Sequence, residues 1–255
     1  MNTNDGGHYD AAIDALAARE YESAANRYTR AGRRILADPR EGLDPFTPDE
    51  NGWIGQGLQC LLVAAVAARV AGAERRATQR AVEGIAITRD LESVLTAPGQ
   101  RGCLAEFVAD FRVAGGVSAA DPGYDEAARR YQNAASQIDS PQALGTTPLF
   151  EAAAATIAQL ARGQANGEIA VAWEDLHGPD PASPGAFLAH RAQYKRQRFA
   201  NRLDRAVADS HLAAPRGTTE YGNDHHRCPA CGSRDVNWAG TQVLCLRCST
   251  PTEEV

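Results

Sequence analysis

Apolar residues recur at three- and four-residue spacings through most of this chain, the period of helices that bury one face. "HYDAAIDALAAREYESAANRYTRAGRRILAD", residues 8–38, reads as two packed helices broken near Arg19 and Glu20. "PREGLDPFTPDENG" follows, and its three prolines forbid a continuous helix, so a loop is expected. A second helical hairpin starts at Trp53 and turns near Gly72, and a third runs from Arg101 to Asp139, turning around "GGVSAADPG". Thr147 is placed to cap a helix with Pro148 at its first position, reaching Ala161. A shorter helical piece is expected from Glu168 to Leu176, and a last helix opens at Ser183-Pro184. No strand pattern occurs before residue 234.

Within the helices one pattern returns. Tyr21, Ala24, Tyr28 and Ala31 recur as Tyr124, Ala127, Tyr131 and Ala134, each shifted by 103 positions. Small residues let a neighbouring helix come close while the tyrosines fill the grooves beside them. The middle hairpin keeps only the small positions, Ala77, Ala81 and Gly84. The two tyrosine-alanine stretches resemble the second helix of a tetratricopeptide repeat, although the Trp-Leu-Gly pattern of that family's first helix is missing. The resemblance covers roughly residues 9–140 and implies a concave scaffold that holds another protein's peptide or helix. An ordinary bundle with alanine-rich contacts is the plainer reading of the same residues.

Chemistry concentrates at the C-terminal end. Cys228, Cys231, Cys245 and Cys248 form two Cys-x-x-Cys pairs with 13 residues between them. Two thiolates separated by two residues reach one metal ion from a single tight turn, and four suit tetrahedral Zn2+. Gly232 permits the turn after the first pair. "SRDVNWAGTQVLC" alternates Val236 and Trp238 with polar neighbours, turns at Ala239-Gly240 and returns through Val243, a hairpin that brings the second pair beside the first. Residues 227–250 resemble a zinc ribbon of the kind found in transcription factors and ribosomal proteins, with Ser249 standing where such knuckles often carry glycine. One structural zinc is expected, its binding free energy replacing the core that so small a module lacks. A disulfide pair would suit an exported chain, but "MNTNDGGHYD" is polar and lacks a leader's apolar stretch. A redox dithiol would need a βαβ context, which is missing. His225 and His226 read as solvated loop residues, and Cys60 and Cys103 as core.

Charge changes the picture at the same end. Lys and Arg number 16 against 25 Asp and Glu over residues 1–184, and 10 against 7 over residues 185–255. An acidic body thus carries a basic end, the asymmetry that suggests an anionic partner. Arg191, Lys195, Arg198, Arg202 and Arg205 are spaced 4, 3, 4 and 3, which puts them on one stripe of the last helix, with Tyr194 along its edge. Such a stripe can track phosphates. It can equally be a solvated face, or pair with acidic helices of the body. Glu174, Asp175 and His177 have no nucleophile or positioned partner and read as a helix end.

These readings combine into a mostly α protein of stacked antiparallel helical hairpins followed by a small β-hairpin zinc ribbon. The expected divisions are a disordered start (1–8), a helical scaffold (9–182), a basic helix (183–212), a linker (213–226), the ribbon (227–250) and a disordered tail (251–255). The expected role is a cytoplasmic, non-enzymatic adaptor that binds a protein partner through its helical array and docks through the ribbon, with no membrane segment and no evident small-molecule substrate. A nucleic-acid-associated regulator using the basic helix and ribbon is the second expectation, and an enzyme with an unrecognised site is the remote alternative.

Overall fold

The computed structural model describes residues 5–37, 53–164, 171–178, 180 and 183–255. The expected loop after Asp38, the start of the chain before Asp5 and the first part of the expected short helix at Glu168 lie outside them. Helices α1 (His8–Ala17) and α2 (Tyr21–Ala37) form the first hairpin, and the chain reverses with Arg19 at a φ of +60°. Order begins before residue 8, because the Asp5 carboxylate accepts the Gly7 and Tyr9 N–H groups and caps α1. Helices α3 (Trp53–Val70) and α4 (Glu74–Val94) turn at Gly72, whose φ of +73° suits a residue without a Cβ. Helices α5 (Pro98–Gly115) and α6 (Ala120–Ala134) turn at Gly116, φ +63°.

Both tyrosine-alanine sets are buried throughout, as are Ala77, Ala81 and Gly84. Gly84 is needed because a Cβ there would lie 2.3 Å from Phe111 Cε1. Helices α2 and α4 run parallel: Arg76 pairs with Glu22, Arg80 bonds Asn26 and Thr29, and Arg33 pairs with Glu83, the contacts advancing together along both helices. Second helices of successive hairpins therefore lie side by side.

An open concave array does not follow. After a single turn, α7 (Pro141–Gly145), the chain enters α8 (Pro148–Gln164); the short α9 (Trp173–His177) and the long α10 (Pro184–Ala208) come next. Helix α3 is apolar all round, with 15 of its 18 residues buried, and packs against α2, α4, α5, α8 and α10. Thus α8 and α10 fill the side that an open array leaves for a partner, and the expected peptide cradle is replaced by core. Helix α3 is also long and apolar enough to cross a membrane, but 83% of it is buried within the helical body, which accounts for its composition. Thr147 precedes α8 as expected, yet its hydroxyl donates to the Leu144 carbonyl at 2.7 Å instead of capping the helix.

Five short strands follow: β1 (Thr218–Glu220), β2 (His226–Arg227), β3 (Val236–Ala239), β4 (Gln242–Cys245) and β5 (Glu253–Glu254). The hairpin β3–β4 turns at Gly240, φ +59°, as its alternation predicted. Two expectations are corrected. The supposed linker supplies β1, antiparallel to β3, and β2; the supposed loose tail supplies β5, antiparallel to β2. Gly217 makes the first pairing feasible, since a Cβ there would lie 1.8 Å from the Trp238 carbonyl oxygen. Buried Asn237 adds a clamp, accepting from Gly217 N–H at 2.8 Å and donating to the Pro215 carbonyl at 3.1 Å.

The ribbon is seated on the helices. Ile13 of α1 packs with Ala214, Ala239 and Leu244, and Gly240 lies so close to Asp10 that a Cβ would meet its Oδ1 at 2.7 Å. Gln159 Nε2 donates to the Ala213 carbonyl at 2.6 Å, and Leu212 N–H donates to the Tyr21 hydroxyl at 3.2 Å.

Candidate metal centre and the buried ion cluster

The Cys228-Pro-Ala-Cys231 turn and the Cys245-Leu-Arg-Cys248 turn face each other across the ribbon. All four Sγ atoms lie within 4.8 Å of one another and could hold a metal ion. Cys228 and Cys248 are separated by 3.6 Å, Cys231 and Cys245 by 3.5 Å, and Cys231 and Cys248 by 3.9 Å. A tetrahedron of metal–sulfur bonds about 2.3 Å long spaces its corners by about 3.8 Å, close to these three separations. Each knuckle also presents backbone amides to sulfur. Burial raises the Cys228 thiol, opposed by the N–H groups of Cys231 and Ala230; burial likewise raises Cys245, opposed by those of Cys248 and Arg247. At Cys248 burial loses to the Thr250 hydroxyl and amide, which bring the thiol down to about 7.

The two knuckles use different residues at the left-handed position. Gly232 has φ +73° and Ser249 φ +55°. Serine is tolerated there because its hydroxyl accepts the Ala214 N–H at 3.3 Å, tying the second knuckle to the chain that leaves α10. His225 and His226 are not in the sulfur cluster. His226 instead packs edge-on to Trp238 with ring centroids 5.3 Å apart, and Trp238 is 40% exposed.

The five-residue basic stripe divides. Arg191 and Lys195 are fully buried, so neither faces solvent or a phosphate; this corrects their candidacy for nucleic-acid contact. Their partners are Glu106 and Asp110, one helical turn apart on α5. Arg191 donates to Glu106 from Nε at 2.9 Å and from Nη2 at 2.8 Å, and from Nη1 to the Phe150 carbonyl at 2.8 Å. Lys195 Nζ lies 2.7 Å from Glu106 Oε1 and 2.6 Å from Asp110 Oδ2. The repeat tyrosines complete the cluster, Tyr131 donating to Glu106 at 2.8 Å and Tyr124 to Asp110 at 2.7 Å. Two cations thus meet two anions with every charged oxygen engaged, the condition under which buried ions are tolerated. Burial works against ionised Glu106, but Arg191 and Lys195 hold its carboxyl down to about 2. Burial, with Glu106 beside it, pushes Asp110 up in spite of Lys195.

Arg198 and Arg205 remain exposed. Arg205 lies 3.6 Å from Asp209, and Arg202 donates to the Tyr194 hydroxyl at 3.1 Å. Cys60 and Cys103 are fully buried, and burial pushes each thiol up to about 12. Of the α9 residues, His177 is stacked between Trp173 and Phe187 at 3.8 and 4.7 Å, while Asp175 accepts the Ala172 N–H at the helix start. Glu106 and Asp110 escaped sequence reading, although their spacing of four matches that of Arg191 and Lys195, a pairing of two i,i+4 couples between helices.

No family model, no curated protein and no solved structure matches this chain.

Proposed function

We propose that the chain is a non-enzymatic intracellular adaptor whose ribbon, closed by one structural zinc ion, docks a protein partner. The observation that carries this reading is the all-sulfur donor set within 4.8 Å: four thiolates complete a tetrahedral shell and leave no position for water or substrate. Held this way, the ribbon is rigid enough to present Trp238 and His226 on the face away from α1. A half-exposed tryptophan buttressed by a second ring suits a protein-docking anchor.

Charge favours a protein partner over nucleic acid. Of the 10 basic residues in 185–255, Arg191 and Lys195 are neutralised inside the helical body, which leaves 8 against 7 acidic ones. A zinc tetrathiolate carries a formal charge of −2, so the ribbon end has no positive excess with which to release counterions from a phosphate backbone.

Affinity capture from the native host, comparing the unaltered chain with Trp238→Ala, tests the reading. The expected result is about one zinc per chain in both and a protein partner lost from the variant. Zinc below stoichiometry, or capture of nucleic acid that survives in the variant, would refute it.

A further inference from the structure

A second polar feature lies on the opposite side of the sequence from the ribbon, in the groove between α2 and α4. It encloses about 310 Å³, and no aliphatic or aromatic side chain lines it. Four of its eight lining residues are arginines, Arg30, Arg33, Arg76 and Arg80. Since 25 of the 26 basic residues in the chain are arginine, the residue type carries little information; the arrangement carries more.

Arg80 is held in place by neutral groups only. Its Nε donates to Thr29 Oγ1 at 2.8 Å and its Nη2 to Asn26 Oδ1 at 2.6 Å. Thr29 has already given its own proton to the Ala25 carbonyl at 2.7 Å, so its oxygen faces Arg80 as an acceptor. The two nearby carboxylates are engaged elsewhere: Glu83 takes Arg33 through both oxygens at 2.7 Å, and Glu22 pairs with Arg76. Among the described residues Arg30 makes no ion pair or hydrogen bond. Burial, then Arg76 and Arg33, depress the charged form of Arg80, as expected of a guanidinium fixed among cations. Four positive groups against two negative ones leave two uncompensated charges in one small groove of a chain whose net charge is −6.

We propose that this groove binds a phosphate monoester dianion, with Arg80 as its fixed fork and Arg30 as the arm that closes on it. A dianion matches the excess charge, and guanidinium groups match the tetrahedral oxygens. No aliphatic or aromatic side chain lines the groove to hold an apolar moiety, so the phosphate itself is the recognised group. It can arrive on a small metabolite or on a phosphoserine side chain.

Calorimetric titration of the full chain at low salt, with O-phosphoserine, glycerol phosphate, succinate and a phosphoserine peptide with its unmodified counterpart, tests this. Both small phosphates should bind, at least ten-fold tighter than succinate, with affinity falling steeply as salt is raised. Arg80→Gln and Arg30→Gln should each weaken binding by ten-fold or more. Because Arg80 also bridges α2 and α4, Arg30→Gln, which removes no internal contact, keeps the result interpretable if Arg80→Gln loses stability. If the peptide alone binds more tightly than the small esters, the source is a phosphoprotein; equal affinities indicate a free ester. Succinate binding as well as phosphate, no phosphate binding at millimolar concentration, or an unchanged Arg30→Gln variant would overturn the proposal.

Discussion

Lys195→Met is the sharpest perturbation of the helical body. The side chain is completely buried and its Nζ serves both Glu106 and Asp110. Methionine preserves the length and apolar volume of the stem, so the substitution removes charge and hydrogen bonds with little cavity. Two carboxylates then share the single remaining cation, Arg191, whose contacts go to Glu106 and not to Asp110. Breaking a buried pair on one side costs about 3–5 kcal/mol, because the orphaned charge stays where water cannot reach it. With a urea slope of about 2 kcal/mol per molar, the unfolding midpoint should fall by about 2 M. Asp110→Leu in the same chain removes the orphan and should recover at least half of the loss, a coupling that a double-mutant cycle reads directly. The sign of the pH dependence follows. In Lys195→Met the Asp110 carboxyl is raised further, so its protonated form matches the fold and the defect should shrink as pH falls from 7 toward 4. A loss below about 1 kcal/mol, the value of an exposed ion pair, or a defect that grows on acidification, would refute the cluster as an organiser of the core.

Three further outcomes are expected. Chelation, or Cys231→Ser, should melt the ribbon while the helical circular dichroism is kept, with amide exchange speeding up in residues 214–255 and around Ile13 on α1. Gly84→Ala should lower stability by about 1–3 kcal/mol in denaturant unfolding, since the added methyl meets the Phe111 ring at 2.3–2.7 Å. His177 is kept neutral by burial, with Arg191 adding to the effect, and its pKa is lowered to about 4. The unfolded chain takes up a proton near 6.5 and the folded one does not, so stability should fall as pH drops from 6.5 through 4. After allowance for solvent screening that is about 2 kcal/mol, and His177→Phe should remove this part of the acid sensitivity.

The helices and the sulfur clasp were legible because their signals are local. Spacings of three and four located α1 to α6, Gly72 and Gly116 marked the reversals, and Cys-x-x-Cys spacing announced its own geometry. What the letters withheld is relational. Nothing in "TTE" at 218–220 alternates in polarity, and its pairing to β3 depends on the missing Cβ of Gly217 beside a carbonyl far along the chain. For Arg191 and Lys195 the sequence left surface charge, phosphate contact and pairing with acidic helices all open, because polarity by itself is silent on partners. Only the approach of α5 to α10 turns them into core. The tyrosine-alanine pattern reported close helix packing correctly, yet the same contacts serve an open stack and a closed body. Helix α3 decides between them by being apolar on every side.

The seating of the ribbon on α1 has a consequence for biosynthesis. Ile13 leaves the ribosome about 200 residues before its cover, Ala214, Ala239 and Leu244, which emerges only after the ten α-helices of the described residues have been made. The nascent chain therefore carries an uncovered sticky spot until the ribbon folds, and if a metal ion closes the four-cysteine cluster, metal scarcity during translation would be registered as exposure of the α1–α2 hairpin.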